Sequence, residues 1–574
     1  MDFFQQGPVL TNTYEGDPIL RAHLERLLPA PVLTGLTPSL QTLGQQAATE
    51  LLALGEQAER EQPHLEHYDP WGRRIDRIGV SQAWTALHRV QADLGLAAIP
   101  YEDGYGPEAR VVQMALAHLY GPSSATYTCP VSMTDAATRV LTEAADPELR
   151  DRVVPHLISR AADAWTSGQW MTEKPGGSDV GRTETVAKPL ADGGYALHGV
   201  KWFTSATTAN CALALARTLD TDGHGVAGSR GLGLYLVELV DPRDESSQIG
   251  RTILVRRLKD KLGTKSLPTA ELDLEGAYAT LVGDPHRGVK TITGMLNVTR
   301  LWNAYAAAHL QARGLQLALS YADHREAFGA RLLDLPLHRE TLADLAVEYE
   351  ATLALVSRAA ELMGRVEDRG EAAGDDGLTL RGLMPVVKLL TAKTAVASAS
   401  EVVDSFGGMG YVETTPIPAL LRNTQVLSIW EGTTNVLALD LLRAAVREGA
   451  LSAVLADAVE RMAGADVPVL AEDIRLITDE VRTLIEAAEA FAEVEVVDVE
   501  VGMRTYAMNL GHVYSAALLV EHAAYRLDKH DDDAPVAVVG RYVQRHLGPR
   551  WSPIPTPARR QATDAILRGA GTSD

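Results

Sequence analysis

The chain has 574 residues, 46% of them apolar and 22% charged, with a formal charge of −22. That length is enough for several domains, and that charge repels nucleic acid and anionic membranes overall. Two cysteines, Cys129 and Cys211, exclude a disulfide framework and a cysteine metal cluster and suit a reducing cytoplasm. There is no run of eighteen apolar residues, so no membrane span is expected. The opening "MDFFQQGPVLTNTYEGDP" lacks the basic start and apolar core of a secretory signal.

Residues 1 to about 40 read as irregular, with prolines at 8, 18, 29, 31 and 38. From about 41 to 165 the apolar period is helical, as in "LQTLGQQAATELLALGEQAE", "QAWTALHRVQADLGL" and "EARVVQMALAHLYG". "HLEH", with His64 and His67 at helical spacing, could hold a metal. It has no suitably spaced third ligand and reads as a solvated helix face, so no metal is expected. Near 168 the texture turns to strands. "TETVAKPLADGGYALHGVKWFTSA" reads as two strands around an Asp-Gly-Gly turn, and "CALALART", "GLGLYLVELV" and "TAELDLEGAYATLVG" continue it. From about 287 long helices return and build a four-helix bundle ending near 445. More helices follow to the end. The chain divides as 1–168 (N-terminal extension and helical domain), 169–284 (β domain), 285–445 (bundle) and 446–574 (C-terminal helical domain). No βαβ alternation and no G-x-G-x-x-G after a strand supports a Rossmann or P-loop reading.

Several stretches could carry chemistry. In "MTEKPGGSDVGRT", from Met171, Gly176 and Gly177 allow close backbone approach, and Thr172 and Ser178 carry hydroxyls. The same residues also suit a plain crossover turn. "GVKWFTSA" ends a strand with Phe203 and Ser205, which could cover a flat ring and bond its edge, or simply fill a core. In "HREAFG", Arg325 could clamp phosphate and Phe328 could pack on a ring; an arginine at a helix end also serves the helix dipole. "FGGMGY" carries Gly407 and Gly408 after a long helix, as a bend against a ligand or a C-cap. "SIWEGTTN" places Glu431 after Ile429 and Trp430, poor company for a charge.

Together "MTEKPGGSD", "GVKWFTS", "HREAFG", "FGGMGY" and "IWEGTTN" resemble the acyl-CoA dehydrogenase family, in its order and spacing, over about residues 45–445. "YDPWGRRID", "PVSMTDAATRVL", "RLKDKLGTKS" and the C-terminal extension resemble its AidB-type, alkylation-response branch. The resemblance implies a mainly α fold with a central β-barrel: a helical domain, the barrel, a four-helix bundle and the C-terminal extension. It implies FAD, a homo-oligomer, commonly a tetramer, and an acyl-CoA substrate.

It also implies roles. Met171, Thr172 and Ser178 would bind the isoalloxazine ring, with Phe203 and Ser205 on its other side. Arg325, Phe328, Gly407 and Gly408 would hold the adenine and pyrophosphate end across a subunit interface. Thr433 and Asn435 would bind the dinucleotide beside the active site. Glu431 would be the base that removes the α-proton while hydride passes to flavin N5. Burial against Ile429 and Trp430 would raise its pKa; the alternative is a helix-starting glutamate. Asn297 and Arg300 would help recognise CoA, although an acid is frequent in the family where this chain has Asn297. The branch further implies an alternative function, binding of double-stranded DNA through the C-terminal helices with weak or vestigial dehydrogenase activity. Residues 441–574 carry 14 Lys/Arg against 21 Asp/Glu, and their one basic cluster is Arg541, Arg545, Arg550, Arg559 and Arg560. A nitroalkane oxidase of the same superfamily would use aspartate as its base, where this chain has glutamate.

Overall fold

Residues 4–17 are irregular as expected, but from Pro18 the proline-rich N-terminus is helical. In the computed structural model, which describes residues 4–465, 467–491, 493, 495–547 and 557–571, it forms α1 (Pro18–Leu27) and α2 (Ala30–Ala48). Pro18 opens α1, Pro29 caps α2 and Pro31 lies in its first turn, positions where a missing N–H costs nothing. Pro38 lies inside α2. The Asp17 side chain accepts from the Leu20 amide and caps α1.

After α3 (Glu50–Arg60), β1 (His64–Tyr68) and β2 (Arg74–Gly79) pair as an antiparallel hairpin. "HLEH" therefore lies on a strand and not on a helix, and its histidines are not one helical turn apart. His67 instead meets the buried Asp76, Nδ1 to Oδ1 2.8 Å. The helical period on both sides hid this short polar hairpin. α4 (Gln82–Leu94) stops at Gly95, which takes the left-handed conformation of a C-terminal cap. α5 (Ala109–Tyr120), α6 (Thr128–Ala144) and α7 (Pro147–Leu157) follow.

Seven strands come next: β3 (Ser167–Trp170), β4 (Val186–Pro189), β5 (Tyr195–Ser205), β6 (Cys211–Thr218), β7 (Leu232–Glu238), β8 (Ile253–Leu258) and β9 (Thr269–Val282). Their order is β3-β6-β4-β5-β9-β7, with β8 added on β9. β7 also pairs back on β6, so β6, β4, β5, β9 and β7 close into a barrel. β4 and β5 form the expected hairpin, with Gly193 at φ +88 in its turn. Alternation sends Ala212, Ala214 and Ala216 of β6 inward with Tyr235, Val255 and Leu272. Small side chains on one strand leave room for large ones on others, which fills a narrow barrel.

α8 (Gly288–His324) leads to a tiny hairpin, β10 (Glu326–Ala327) with β11 (Ala330–Arg331). α9 (Pro336–Arg369), α10 (Asp375–Ser405), α11 (Ile417–Gln425) and α12 (Thr434–Glu448) continue the bundle. The extension is α13 (Ala450–Ala463), α14 (Ala471–Ala490), α15 (Val496–His530), α16 (Ala534–His546) and α17 (Pro557–Gly569). It packs on the bundle through buried charge as well as apolar surface. Arg358 of α9 donates to Asp457 of α13 at 2.7 Å and to Glu361 at 2.7 Å, and Tyr514 of α15 donates to Asp457.

The chain forms two compact units. One is Met1–Thr49, Asp103–Pro122 and Asn303–Asp574, the helical unit; the other, Glu50–Glu102 and Ser123–Trp302, holds the barrel. Among the described residues no helix is long and apolar enough to cross a membrane.

Candidate active site

In the barrel unit, the glycine-rich segment after β3 is anchored by a charge pair that sequence reasoning missed. Glu173 is buried and accepts from Lys201 Nζ at 2.6 Å, from the Glu184 amide at 2.7 Å and from the Thr185 amide. Lys201, fully buried on β5, also donates to the Leu215 carbonyl at 2.7 Å. Burial alone would push the Glu173 carboxyl up; Lys201 and the amide donors hold it below the ordinary carboxylate range. A charge inside the β-run "GVKWF" was the available signal.

This anchor sets the neighbouring edge. The Trp202 amide donates to the Thr172 carbonyl at 2.9 Å, which draws the Met171–Ser178 segment beside the end of β5. Met171 is buried, while Thr172 is partly exposed and Ser178 exposed. Gly176 is required by shape, since a Cβ there would lie 2.2 Å from the Asp179 carbonyl oxygen. Phe203 is 49% exposed, unusual for an aromatic at a strand end, with Lys259 Nζ 4.5 Å from its ring centre and 3.6 Å from that of Trp202. Ser205 Oγ lies 3.1 Å from Thr269 Oγ1. Main-chain groups, hydroxyls and an open aromatic face thus meet at one edge, which fits a planar heterocycle. Asn297, partly exposed, and Arg300, buried, lie one turn apart on α8 in the same unit.

In the helical unit Glu431 occupies a strained turn. Its φ is +56 and that of Gly432 is +101, so the backbone is left-handed at a non-glycine residue. Two contacts hold the turn. The indole N–H of Trp430 donates to Asn303 Oδ1, and Lys388, fully buried on α10, donates to the Gly432 carbonyl at 2.6 Å. Beneath, Trp430 packs with Leu427 on Ala306, Ala307, Ala392 and Ala395, whose short side chains let the turn sit close to α8 and α10. Asn303 and Lys388 were also missed. Each is a lone polar residue in an apolar helix, "LWNAYAAA" and "VVKLLTA".

The apolar surroundings expected for Glu431 are only half present. Ile429 is 56% exposed and Glu431 is partly buried, so Ile429 does not desolvate the carboxylate within the chain. The turn geometry makes the reason plain: residue 429 faces out as Trp430 faces in. Thr433 stands at the N-cap position of α12 without a side-chain capping bond, and both it and Asn435 are exposed at that helix N-terminus, where helix N–H groups favour anions. Asn435 Oδ1 accepts from Arg504 at 3.3 Å.

The remaining candidates lie elsewhere in the helical unit. Arg325 donates to Gln5 Oε1 at 2.9 Å. Phe328, with φ +54, stands fully exposed at the tip of the β10–β11 hairpin. Gly407, at φ +57, ends α10, and nothing lies within 4 Å of a Cβ built on Gly407 or Gly408. Gly410 is the glycine that packing within the chain requires, with the Val403 carbonyl oxygen 2.1 Å from such a Cβ.

The basic cluster offered for DNA is partly committed. Arg541 pairs with Asp344 at 2.6 Å and Glu340, and Arg545 with Asp344 at 2.7 Å and Glu348. Arg550 and the side chains of Arg559 and Arg560 lie outside the described residues.

A closed barrel between helical segments, followed by a long-helix bundle with a glutamate on its final turn, is an architecture shared by a class of flavin oxidoreductases. The chain belongs to this class, the acyl-CoA dehydrogenase family of FAD-dependent enzymes. Its residues 286–446 match the acyl-CoA dehydrogenase C-terminal domain and 168–277 the middle domain. Residues 6–164 match the N-terminal domain of adaptive response protein AidB, and 450–558 the acyl-CoA dehydrogenase 11 C-terminal domain-like family.

Within the family the similarity points to two relatives. Acyl-CoA dehydrogenase family member 11 of Caenorhabditis elegans is 40% identical over 96% of this chain and 90% of its own length. Putative acyl-CoA dehydrogenase AidB of Escherichia coli is 33% identical over 74% and 77%. The crystal structure of C. elegans ACDH-11 in complex with C11-CoA superposes with a TM-score of 0.90 at 38% identity, covering 96% of this chain and 94% of that one.

Proposed function

We propose that the protein oxidises an acyl-CoA thioester between its α and β carbons, with FAD as resident cofactor and Glu431 as base. The observation that carries this reading is the Glu431 turn, a left-handed glutamate held from both sides by Trp430–Asn303 and Lys388–Gly432. A fold keeps such strain where the side chain has work to do.

Bound FAD supplies the hydride acceptor. Main-chain and hydroxyl groups of Met171, Thr172 and Ser178 would hold its ring, and Phe203 and Ser205 would cover it. Arg325, Phe328, Gly407 and Gly408 would take the adenine and pyrophosphate end, and Thr433 and Asn435 would bind the dinucleotide. The complete exposure of Phe328 supports a role across a subunit boundary, and with it a homo-oligomer, proposed as a tetramer. The Glu431 carboxylate removes the α-proton from the thioester. Asn297 and Arg300 contact the CoA portion. The C11-CoA bound by ACDH-11 suggests an acyl chain of that length as the first to try.

The nucleic-acid reading is not adopted, because Arg541 and Arg545 already face carboxylates. The test is anaerobic titration of the purified protein with undecanoyl-CoA and a panel of shorter and longer acyl-CoAs. The flavin absorption is expected to bleach with at least one. A colourless protein that takes up no FAD, or a flavin unchanged by the whole panel, overturns the proposal.

A further inference from the structure

A second cluster of chemistry-bearing groups lies in the helical unit, unconnected with the residues assigned above. His23 of α1, Glu350 of α9 and His522 of α15 meet in the interior, all buried. His23 Nε2 lies 3.9 Å and His522 Nε2 4.0 Å from Glu350 Oε1, and the three ligand atoms fall within 4.8 Å of one another. The imidazoles stack with centroids 3.9 Å apart and an interplanar angle of 12°. Neither ring nitrogen of His23 nor Nδ1 of His522 has a hydrogen-bond partner among the described residues. Buried polar atoms are nearly always partnered, so an unpartnered His23 Nε2 facing the Glu350 carboxylate, beside a second buried imidazole, calls for an occupant.

We propose that His23, Glu350 and His522 bind a divalent transition metal ion of the zinc class, tying α1, α9 and α15 together. Two histidines and one carboxylate are a recurrent ligand set for such ions, with a water in the fourth position. Ligand bonds of roughly 2.1 Å at tetrahedral angles put ligand atoms roughly 3.4 Å apart, so the gaps of 3.9 and 4.0 Å to Glu350 must shorten slightly, and the stacked rings must rotate out of their parallel arrangement for both lone pairs to meet at the ion. Because the outward ring nitrogens find no acceptor, the affinity should be roughly 10–100-fold below that of a site with a complete outer shell.

The test uses the full-length, FAD-loaded protein, dialysed against chelator and titrated with Co²⁺ as a spectroscopic probe. One equivalent is expected to bind with the visible absorption of tetrahedral cobalt, to be displaced by Zn²⁺, and to be accompanied by a higher melting temperature. Glu350→Gln and His522→Gln should each abolish the absorption, whereas His224→Gln, at an exposed histidine, should leave it intact. A wild-type protein that develops no cobalt absorption overturns the proposal whether or not the variants fold. So does one whose signal survives in both folded variants.

Discussion

Replacing Glu431 with glycine should make the protein more stable while abolishing its chemistry. At φ +56 a non-glycine side chain crowds its own backbone at a cost of about 1–2 kcal/mol. Glycine removes that cost but gives the unfolded chain more freedom, an opposing effect of about 0.4–1 kcal/mol. The net expectation is a gain of about 0–1.6 kcal/mol, centred near 0.8. The right reference is Glu431→Gln, which also lacks the carboxylate charge but keeps the strained conformation. The assay is urea denaturation of the two variants at equal FAD concentration, followed by tryptophan fluorescence. If E431G proves no more stable than E431Q, the turn is not strained and the argument from strain to function is wrong.

Three other perturbations test the supports. Lys201→Met leaves Glu173 buried without its cation and should cost about 3–5 kcal/mol, with weaker FAD retention; the double variant K201M/E173Q should recover much of the loss, and a harmless single substitution would contradict the anchoring role. Trp430→Phe deprives buried Asn303 of its donor, at about 1–3 kcal/mol, and should slow flavin reduction more than it weakens FAD binding; equal effects would mean that the turn is not positioned by this bond. For Asp457, burial pushes the carboxyl up, but Arg358, Arg461 and Tyr514 more than offset this and hold it below its ordinary value. Its contribution is therefore complete at neutral pH and is lost below about pH 4, as the pH falls through the lowered folded value. Asp457→Asn should cost about 1.5–3 kcal/mol at pH 7 and flatten the acid limb of melting temperature against pH; an unchanged limb would place the acid sensitivity elsewhere.

Much of the architecture was legible because each segment kept one period throughout. The alternating Ala212, Ala214 and Ala216 and the Asp-Gly-Gly turn announced strands, and the breaker-free α8 sequence announced a helix. The reading failed where local signals competed. Prolines at helix starts looked like breakers, although that is where the missing N–H is harmless. The β1–β2 hairpin is too short and too polar to show against its helical neighbours. For the site, the ordered motifs located the segments but not what holds them. Glu173, Lys201, Asn303 and Lys388 act through partners 28 to 127 positions away, a relation that no local pattern encodes. The surroundings of Glu431 were misjudged for the same reason, since which neighbour faces inward depends on a left-handed backbone that the sequence "WEG" only hints at.

The central claim is that the carboxylate at position 431 takes the proton in the oxidation step. It is tested most directly by stopped-flow reduction of the bound flavin under anaerobic conditions, comparing wild type with Glu431→Gln at saturating acyl-CoA. Loss of a positioned base should slow reduction about 10²–10⁴-fold, while the variant still binds FAD and the thioester. Reduction by E431Q within threefold of the wild-type rate would contradict the account.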